Sequence, residues 1–313
     1  MAPKVIVIAG PTASGKTALS IALAKAFDGE VVSADSMQIY RRMDIGTAKP
    51  TPEERQGVAH HMLDVAEPDE NFSVARYVEL ASRAVDDILR RGKVPVIAGG
   101  TGLYLDSLLS GRTFAPYPST GWRERLQKRG AEEGMERLLE ELRAVDPEAA
   151  GRLHLKDEKR IIRALEVWHE TGRTITQHNL DTQALPPRYE GCWIGLNFAD
   201  RAQLWERIDR RVDQMLEQGL VEEIRRLLAE GIDPGATAMQ AIGYKEMAEA
   251  VRTGGDLAAA ADEVRLRSRQ YAKRQLTWFR KNPAIHWYHW QQQPDFAAAC
   301  QFATEIIRAS GIG

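Results

Sequence analysis

The chain has 313 residues, a formal net charge of −2, and two cysteines, Cys192 and Cys300, that are far apart. Its composition is that of an ordinary globular protein, without the long uncharged run that a bilayer span needs or the paired cysteines of a disulfide framework or cysteine zinc site. We therefore expect a cytoplasmic protein without membrane contact, and the near-zero charge excludes a bulk electrostatic nucleic-acid binder while leaving room for a local basic surface.

Three apolar runs in the first hundred residues predict parallel β-strands, because each alternates with a helix-like segment. They cover residues 4–9, 30–33 and 94–98, and they end at Gly10, at Asp35 and at Gly99 with its neighbour Gly100. In open α/β sheets, ligands bind beyond the carboxyl ends of the strands. The three loops are therefore expected to meet at one edge of the sheet.

Residues 10–17 match the phosphate-loop pattern G-x-x-x-x-G-K-[ST] and lie between the first strand and a helical run at residues 18–27. Glycines let the backbone N–H groups curl around an anion, the helix N-terminus adds its positive end, and Lys16 supplies a cation. Thr17 is placed to ligate Mg²⁺. We expect a diphosphate of any origin to bind the loop, which consists of Gly10, Pro11, Thr12, Ala13, Ser14, Gly15, Lys16 and Thr17.

Asp35 follows the second strand, and two active-site roles are open to it: holding a metal through water or accepting a proton from a nucleophile. The alternative is that it only caps the following turn. Gln38 offers an amide suited to a purine edge and Arg41 a phosphate contact, although both also suit a solvated surface. After the third strand, Thr101 is expected to point its hydroxyl between the phosphate loop and Asp35.

Residues 118–184 are predicted to form a small helical insertion, bracketed by proline-containing stretches at residues 116–118 and 186–187. Asp146 and Pro147 resemble a helix start and Gly172 a helix end. An apolar stripe is expected at Ile161, Leu165 and Trp168. Residues 1–117 and 185–313 would then form the P-loop α/β core, a parallel sheet flanked by helices, with one more strand at residues 192–196 and helices over residues 202–281.

Two groups of basic residues predict a surface for the phosphate backbone of a nucleic acid, with aromatic stacking partners in the second group. The alternative for each is a solvated helix face. The first group is Lys159, Arg160 and Arg163. The second, which includes no acidic residue, is Arg265, Arg267, Arg269, Lys273, Arg274, Arg280 and Lys281, interleaved with Tyr271, Trp278 and Phe279.

Six segments, in this order, resemble the bacterial tRNA dimethylallyltransferase (tRNA isopentenyltransferase) family over essentially the full chain. They are Gly-Pro-Thr-Ala-Ser-Gly-Lys-Thr at 10–17, Asp-Ser-Met-Gln-Ile-Tyr-Arg at 35–41, Gly-Gly-Thr-Gly-Leu-Tyr at 99–104, Arg-Ala-Leu-Glu-Val at 163–167, Ala-Ile-Gly-Tyr-Lys-Glu at 241–246 and Arg-Gln-Tyr-Ala-Lys-Arg-Gln-Leu-Thr-Trp-Phe-Arg at 269–280. One departure is residues 154–158, where family members commonly have a proline-containing stretch.

The resemblance implies transfer of a dimethylallyl group from dimethylallyl diphosphate to N6 of the adenosine immediately 3′ of the anticodon, by a monomer that uses Mg²⁺. It implies that Asp35 is the general base, that Thr101 and Lys16 assist the reaction, and that Arg211 is a second diphosphate contact. Contacts with the tRNA anticodon stem-loop are implied for Asp35, Ser36, Met37, Gln38, Thr101, Arg123, Lys159, Arg160, Ile161, Ile162, Arg163, Lys273, Arg274 and Trp278.

Two other functions are compatible with the motifs taken one by one. In a P-loop nucleotide or small-molecule kinase, ATP would occupy the loop and Asp35 would activate an acceptor hydroxyl. In an RNA-binding module without chemistry, a bound nucleotide would only change the affinity for RNA. The three enzyme-like loops favour a transferase over the binding module.

Overall fold

The computed structural model describes residues 2–112, 120–291 and 294–312, apart from the side chain of Gln183. It divides into two compact units, one formed by Met1–Leu109 with Pro187–Gly313 and the other by Ser110–Pro186. The predicted domain boundary after residue 117 and the proline stretch at residues 116–118 lie outside the described residues.

The first unit is built on six strands: β1 (Lys4–Ala9), β2 (Gly29–Ser33), β3 (His60–His61), β4 (Val94–Gly99), β5 (Glu190–Phe198) and β6 (Ile285–Trp290). The helices before the second unit are α1 (Lys16–Ala26), α2 (Pro52–Arg55), α3 (Val74–Arg90) and α4 (Gly102–Ser110). Those after it are α10 (Arg201–Glu217), α11 (Leu220–Ala229), α12 (Tyr244–Thr253), α13 (Leu257–Phe279) and α14 (Phe296–Ala309), with a short 3₁₀ turn at Ala238–Gln240. The helices of the second unit are α5 (Trp122–Glu133), α6 (Met135–Val145), α7 (Pro147–Gly151), α8 (Glu158–Thr171) and α9 (Ile175–Gln183).

The strands form one parallel sheet in the order β3-β2-β4-β1-β5-β6, which confirms the predicted α/β fold. β1 lies inside the sheet, and its residues 5–8 are completely buried. A strand covered on both faces is continuously apolar, which is why these runs were recognisable in the sequence. The order places the ends of β1, β4 and β2 side by side, so the three predicted loops do meet at one edge.

Two strands of the sheet were not predicted. β3 has only two residues and lies at one edge of the sheet, beside β2. β6 pairs with β5 at the other edge. Its residues Ile285 and Trp290 are buried while His286 and His289 are exposed, so two histidines interrupt the continuous apolar run that marks the central strands.

Among the described residues of the first unit, two apolar clusters stand out. One packs α1 and α14 on the sheet around Ile8, Leu23 and Trp290. The other packs α11, α12 and α13 against the segment that follows β2, around Tyr40 and Tyr244. The second cluster ties the chain after Asp35 to helices that come two hundred residues later in the sequence.

The helical unit has its own core. As predicted, Asp146 caps α7 by accepting a hydrogen bond from the backbone N–H of Ala149 at 3.1 Å, and Gly172 ends α8 in the left-handed conformation. Ile161 and Leu165 are fully buried in this core, but Trp168 is only half-buried and lies outside it. The predicted stripe is wrong at that position, because the buried face of α8 continues through Ile162 and Ala164 instead.

Within the ranges given above, no helix combines the length and apolarity that crossing a membrane would demand.

Candidate active site

The phosphate loop, residues 10–17, turns sharply between β1 and α1. Gly10 has φ +148°, and a Cβ added there would lie 2.4 Å from the backbone oxygen of Leu196 in the neighbouring strand β5. A side chain at this position would therefore collide with backbone that cannot move. Ala13 has φ 61°, a left-handed conformation that costs free energy in a residue other than glycine and that the surrounding contacts must maintain.

Side chains from distant parts of the chain hold the backbone of this loop. The carbonyl of Ala13 accepts a hydrogen bond from Arg207 Nε at 3.2 Å, and the carbonyl of Ser14 accepts one from Trp290 Nε1 at 2.9 Å. Lys16 Nζ donates to the carbonyl of Pro11 at 2.6 Å. These contacts fix the loop before any ligand binds.

Not every loop group is free to bind an anion. The backbone N–H of Thr12 donates to Gln275 Oε1 at 2.9 Å, so at Thr12 only the side chain remains for a ligand, and Pro11 has no N–H. The hydroxyl of Ser14 is buried and has no hydrogen-bond partner within the described residues. A buried hydroxyl without a partner is rare in proteins and is consistent with a ligand contact.

The cations of the site are crowded together. The pKa of Lys16 is lowered to about 7, chiefly by burial and then by the nearby Arg211, while Asp35 opposes both effects. Burial and Arg207 lower the pKa of Arg211, which Asp35 again opposes. No carboxylate lies within ion-pair distance of Lys16 or Arg211 in the part of the chain described. An anion bound here would supply the missing negative charge.

Asp35 lies just beyond β2 and uses one oxygen for structure. Its Oδ1 accepts hydrogen bonds from the backbone N–H groups of Met37 at 2.8 Å and Gln38 at 3.3 Å. The capping role considered from the sequence is therefore confirmed, but it occupies only Oδ1. No group of the described chain donates to Oδ2, so this oxygen can accept a proton from a substrate.

Thr101 joins the loop after β4 to the turn that holds Asp35. Its Oγ1 accepts a hydrogen bond from the backbone N–H of Ser36 at 3.1 Å and lies 3.4 Å from the Ser36 hydroxyl. The pKa of Tyr271 on α13 is raised to about 12, chiefly by burial and then by the charge of the nearby Asp35. A neutral tyrosine hydroxyl therefore stands beside the carboxylate at physiological pH.

The purine contact expected of the Gln38 amide stays a prediction, and in this structure its NH₂ group already has protein partners. Nε2 donates to the carbonyls of Thr47 at 3.2 Å and Ala48 at 3.1 Å. Arg41 is also engaged, with its Nε bonded to the carbonyl of Asp64 and its Nη1 to Glu67. Both side chains stabilise the protein rather than present free donors to an RNA.

The basic group on α13 is only partly free. Arg265 pairs with Asp213, Arg269 with Asp209, and Arg267 with Glu263. The basic segment itself contains no acidic residue, as its sequence shows, but three of its cations are paired with acids elsewhere. The first two acids come from α10, 52 and 60 residues away in sequence, where inspection of the basic segment alone could not show them.

Further along α13, Lys273 and Arg274 are exposed and form no ion pair within the described residues. The guanidinium of Arg274 lies 5.5 Å from the centre of the Tyr271 ring. Trp278 is 44% exposed, and its indole Nε1 donates to Asp106 Oδ2 at 2.8 Å. This part of the helix presents cations beside an exposed aromatic face.

In the helical unit, Lys159 and Arg160 are exposed, and Arg163 is half-buried. Arg163 and Arg123 share the carboxylate of Glu166, at 2.6 and 2.8 Å. Ile161 is completely buried and Ile162 nearly so. The side chain of Ile161 belongs to the core of its unit, so the RNA contact implied for this residue, which stays a prediction, would have to come from its backbone.

Sequence reasoning missed three residues that build the site. Gln275 and Tyr271 lie inside a segment we interpreted as a basic and aromatic surface for RNA, and Trp290 lies in the unpredicted strand β6. A polar residue on the apolar face of a helix was the available signal for Gln275, which is 6% exposed. No local signal identifies Trp290, because its partner in the loop is 276 residues away.

The residues present offer little to a metal ion on their own. The described chain has no group of three or more histidine, cysteine, aspartate or glutamate side chains that could hold one. The exposed Thr17 side chain makes no hydrogen bond to the described protein. This fits Mg²⁺, which is usually held by one or two protein groups together with substrate phosphates and water.

These features define an α/β protein of the P-loop type whose site combines a cationic loop with a partly unbonded carboxylate. The sequence matches the family described as IPP transferase over residues 38–282, and the chain belongs to that family. Proteins named tRNA dimethylallyltransferase are similar over nearly the whole chain. The one from Geobacillus thermodenitrificans is 46% identical over 98% of this chain and 96% of its own, and the one from Thermoanaerobacter sp. is 46% identical over 92% of both.

Solved structures agree with this assignment. The full-length tRNA isopentenylpyrophosphate transferase from Bacillus halodurans is 38% identical, covers 98% of both chains and has a TM-score of 0.73. A eukaryotic dimethylallyltransferase, solved acting on tRNA, is 29% identical over all of this chain and 81% of its own, with a TM-score of 0.85. The protein is therefore a transferase, and the kinase and non-catalytic alternatives are set aside.

Proposed function

We propose that the protein transfers a dimethylallyl group from dimethylallyl diphosphate to N6 of the adenosine 3′-adjacent to the anticodon of tRNA. The names of its relatives support the reaction, and the site supports the chemistry. The observation that carries the proposal is that two kinds of unsatisfied group lie at one edge of the sheet. Among the described residues, Lys16 and Arg211 form no ion pair, and Asp35 Oδ2 accepts no hydrogen bond.

The donor's diphosphate binds the phosphate loop. Lys16 and Arg211 neutralise its charge, and the Ser14 hydroxyl gains the partner that it lacks in the protein alone. During transfer the C–O bond of the donor breaks and the electron pair leaves on the diphosphate. Cations already fixed beside the leaving oxygens stabilise this growing charge without further reorganisation.

The acceptor adenine presents N6 to the allylic carbon, and the new C–N bond forms as the C–O bond breaks. N6 then carries an extra proton, which Asp35 Oδ2 accepts. Because Oδ1 is held by two backbone N–H groups, the carboxylate cannot rotate away from this position. Thr101 holds the turn from the other side, where its Oγ1 accepts a hydrogen bond from the backbone N–H of Ser36.

Thr17 would hold Mg²⁺ together with diphosphate oxygens. The ion supplies further positive charge to the leaving group when it is bound. Lys16 and Arg211 are the protein's own contribution to the same task.

Two surfaces suit the RNA. On the first unit, Lys273 and Arg274 offer phosphate contacts, and the exposed Trp278 ring offers a stacking face for a base. On the helical unit, Lys159 and Arg160 are exposed cations. Extruding the adenine costs a few kcal/mol, which these contacts offset. One chain contains every residue of this scheme, so a monomer suffices for the reaction. The cytoplasm is its proposed location.

The test uses an unmodified anticodon stem-loop RNA, dimethylallyl diphosphate and Mg²⁺, with mass spectrometry of the digested RNA. We expect one dimethylallyl group on the adenosine 3′ of the anticodon and none on a control RNA with guanosine at that position. ATP consumption is measured in a parallel sample. Consumption of ATP with no modified adenosine would overturn the proposed function in favour of a kinase.

A further inference from the structure

The turn that carries Asp35 is anchored through Gln38 to the segment at residues 43–49. Gln38 donates its backbone N–H to the Asp35 carboxylate and its side-chain NH₂ to the carbonyls of Thr47 and Ala48. Its Oε1 accepts a hydrogen bond from the Ser33 hydroxyl at 3.1 Å. The position of the carboxylate therefore depends on where residues 47 and 48 are held.

Glu223 of α11 holds that segment. Its carboxylate accepts hydrogen bonds from three consecutive backbone N–H groups, those of Asp44 at 2.9 Å, Ile45 at 3.0 Å and Gly46 at 3.3 Å. Glu223 is only 3% exposed, and it makes no ion pair with a described lysine or arginine. A buried carboxylate satisfied in this way fixes the path of the backbone that it binds.

Tyr244 completes the arrangement. Its hydroxyl donates to Glu223 Oε1 at 2.5 Å, and its ring is fully buried. A Cβ added to Gly46 would lie 2.4 Å from this ring, so the segment packs directly on Tyr244. Tyr244 belongs to the motif at residues 241–246, which the scheme proposed above does not use.

We propose that Glu223 and Tyr244 are positioning residues for the transfer reaction, acting on Asp35 through residues 44–48 and Gln38. This inference rests on the proposed function, since it assigns the two residues to the proton acceptor of that reaction. Neither residue contacts the phosphate loop in the described structure. Their loss should therefore slow the chemical step while leaving donor binding intact.

The test compares Glu223→Gln and Tyr244→Phe with the wild type in single-turnover prenyl transfer to the stem-loop RNA. Glu222→Gln is the matched control, because Glu222 is exposed on the same helix and, in the part of the chain that the structure describes, pairs with Arg225 alone. We expect Glu223→Gln to lower the rate constant about tenfold or more, since small displacements of a reacting group are costly, and Tyr244→Phe to lower it less. Affinities for pyrophosphate and RNA should stay within about twofold of the wild type, as should every property of Glu222→Gln.

A double-mutant cycle separates positioning from general damage to the fold. In an Asp35→Asn background, Glu223→Gln should have no further effect on the slow residual rate, because the group that it positions is gone. The inference would be overturned if Glu223→Gln lowered the rate constant by the same factor with Asp35 present and in the Asp35→Asn background. Wild-type rate constants in both single variants, Glu223→Gln and Tyr244→Phe, would also overturn it. If Glu223→Gln does not fold, the same cycle is run with Tyr244→Phe. Absence of product with the wild-type protein would instead refute the proposed function itself.

Discussion

The side-chain oxygen of Gln275 accepts a hydrogen bond from the backbone N–H of Thr12 at 2.9 Å. The nitrogen of the same side chain donates to the carbonyl of Gly100, also at 2.9 Å. One buried amide on α13 thus joins the phosphate loop to the loop that carries Thr101. The helix that offers Lys273 and Arg274 to an RNA therefore also fixes the distance between two parts of the catalytic site.

We predict that Gln275→Met lowers kcat/KM for the donor by about 10- to 100-fold. Both loops lose a buried partner, and each unsatisfied group costs about 1–3 kcal/mol. Steady-state kinetics with varied donor measure the effect. Gln270→Met is the control, because Gln270 is exposed on the same helix. Equal kinetics for the two variants would show that the bridge does not matter.

The lowered pKa of Lys16 predicts how the stability of the protein and its affinity for an anion depend on pH. Its pKa of about 7 in the folded protein lies below its ordinary value of 10.5. Between these values the unfolded chain binds more protons, so Lys16 makes the unliganded protein more stable as the pH rises through this window. Binding of an anion has the opposite dependence, because it requires the protonated amine.

We therefore predict that affinity for pyrophosphate, measured without Mg²⁺, stays level below about pH 7 and weakens above it, by up to about tenfold for each pH unit. Calorimetry in buffers of different ionisation enthalpy should detect proton uptake on binding above pH 7. Lys16→Met is the control that reports the titration of pyrophosphate itself. A wild-type profile parallel to that of Lys16→Met would contradict the lowered pKa of Lys16.

Trp290 supports the phosphate loop from β6, a strand that lies after the matched family region. Trp290→Phe keeps an aromatic ring but leaves the carbonyl of Ser14 without its donor. We predict a several-fold increase in KM for the donor with little change in affinity for the RNA. Trp287→Phe, on the same strand, should leave both unchanged. An increase in KM common to both variants would indicate a general weakening of β6.

Exposed cations without ion pairs should contribute most to RNA binding. We predict that Lys273→Gln weakens binding of the stem-loop and lowers the slope of log affinity against log salt by about one. Arg267→Gln is the control, because Arg267 already pairs with Glu263. Fluorescence titrations over a range of salt concentrations measure both slopes. An equal loss in the two variants would mean that the ion pair of Arg267 with Glu263 does not persist in solution.

The sequence was most informative where one short segment carries the whole signal. The apolar run of β1 and the adjoining residues 10–17 located the phosphate loop, and the carboxyl-edge rule brought Asp35 and Thr101 to it. Side-chain contacts with other segments of the chain could not be predicted from the sequence. The Gln38 amide appeared free because its partners are carbonyl groups, which have no residue-type signature. Arg269 appeared uncompensated because Asp209 lies sixty residues away.

The account depends most on Asp35 as the proton acceptor, and Asp35→Asn tests this role directly. The asparagine oxygen can still accept the hydrogen bonds from Met37 and Gln38, so the turn should keep its shape while the base is lost. We predict that the single-turnover rate constant for prenyl transfer falls by about two to four orders of magnitude, with donor and RNA affinities close to those of the wild type. A rate constant within threefold of wild type, roughly the scatter expected of a change remote from the chemistry, would contradict the central claim.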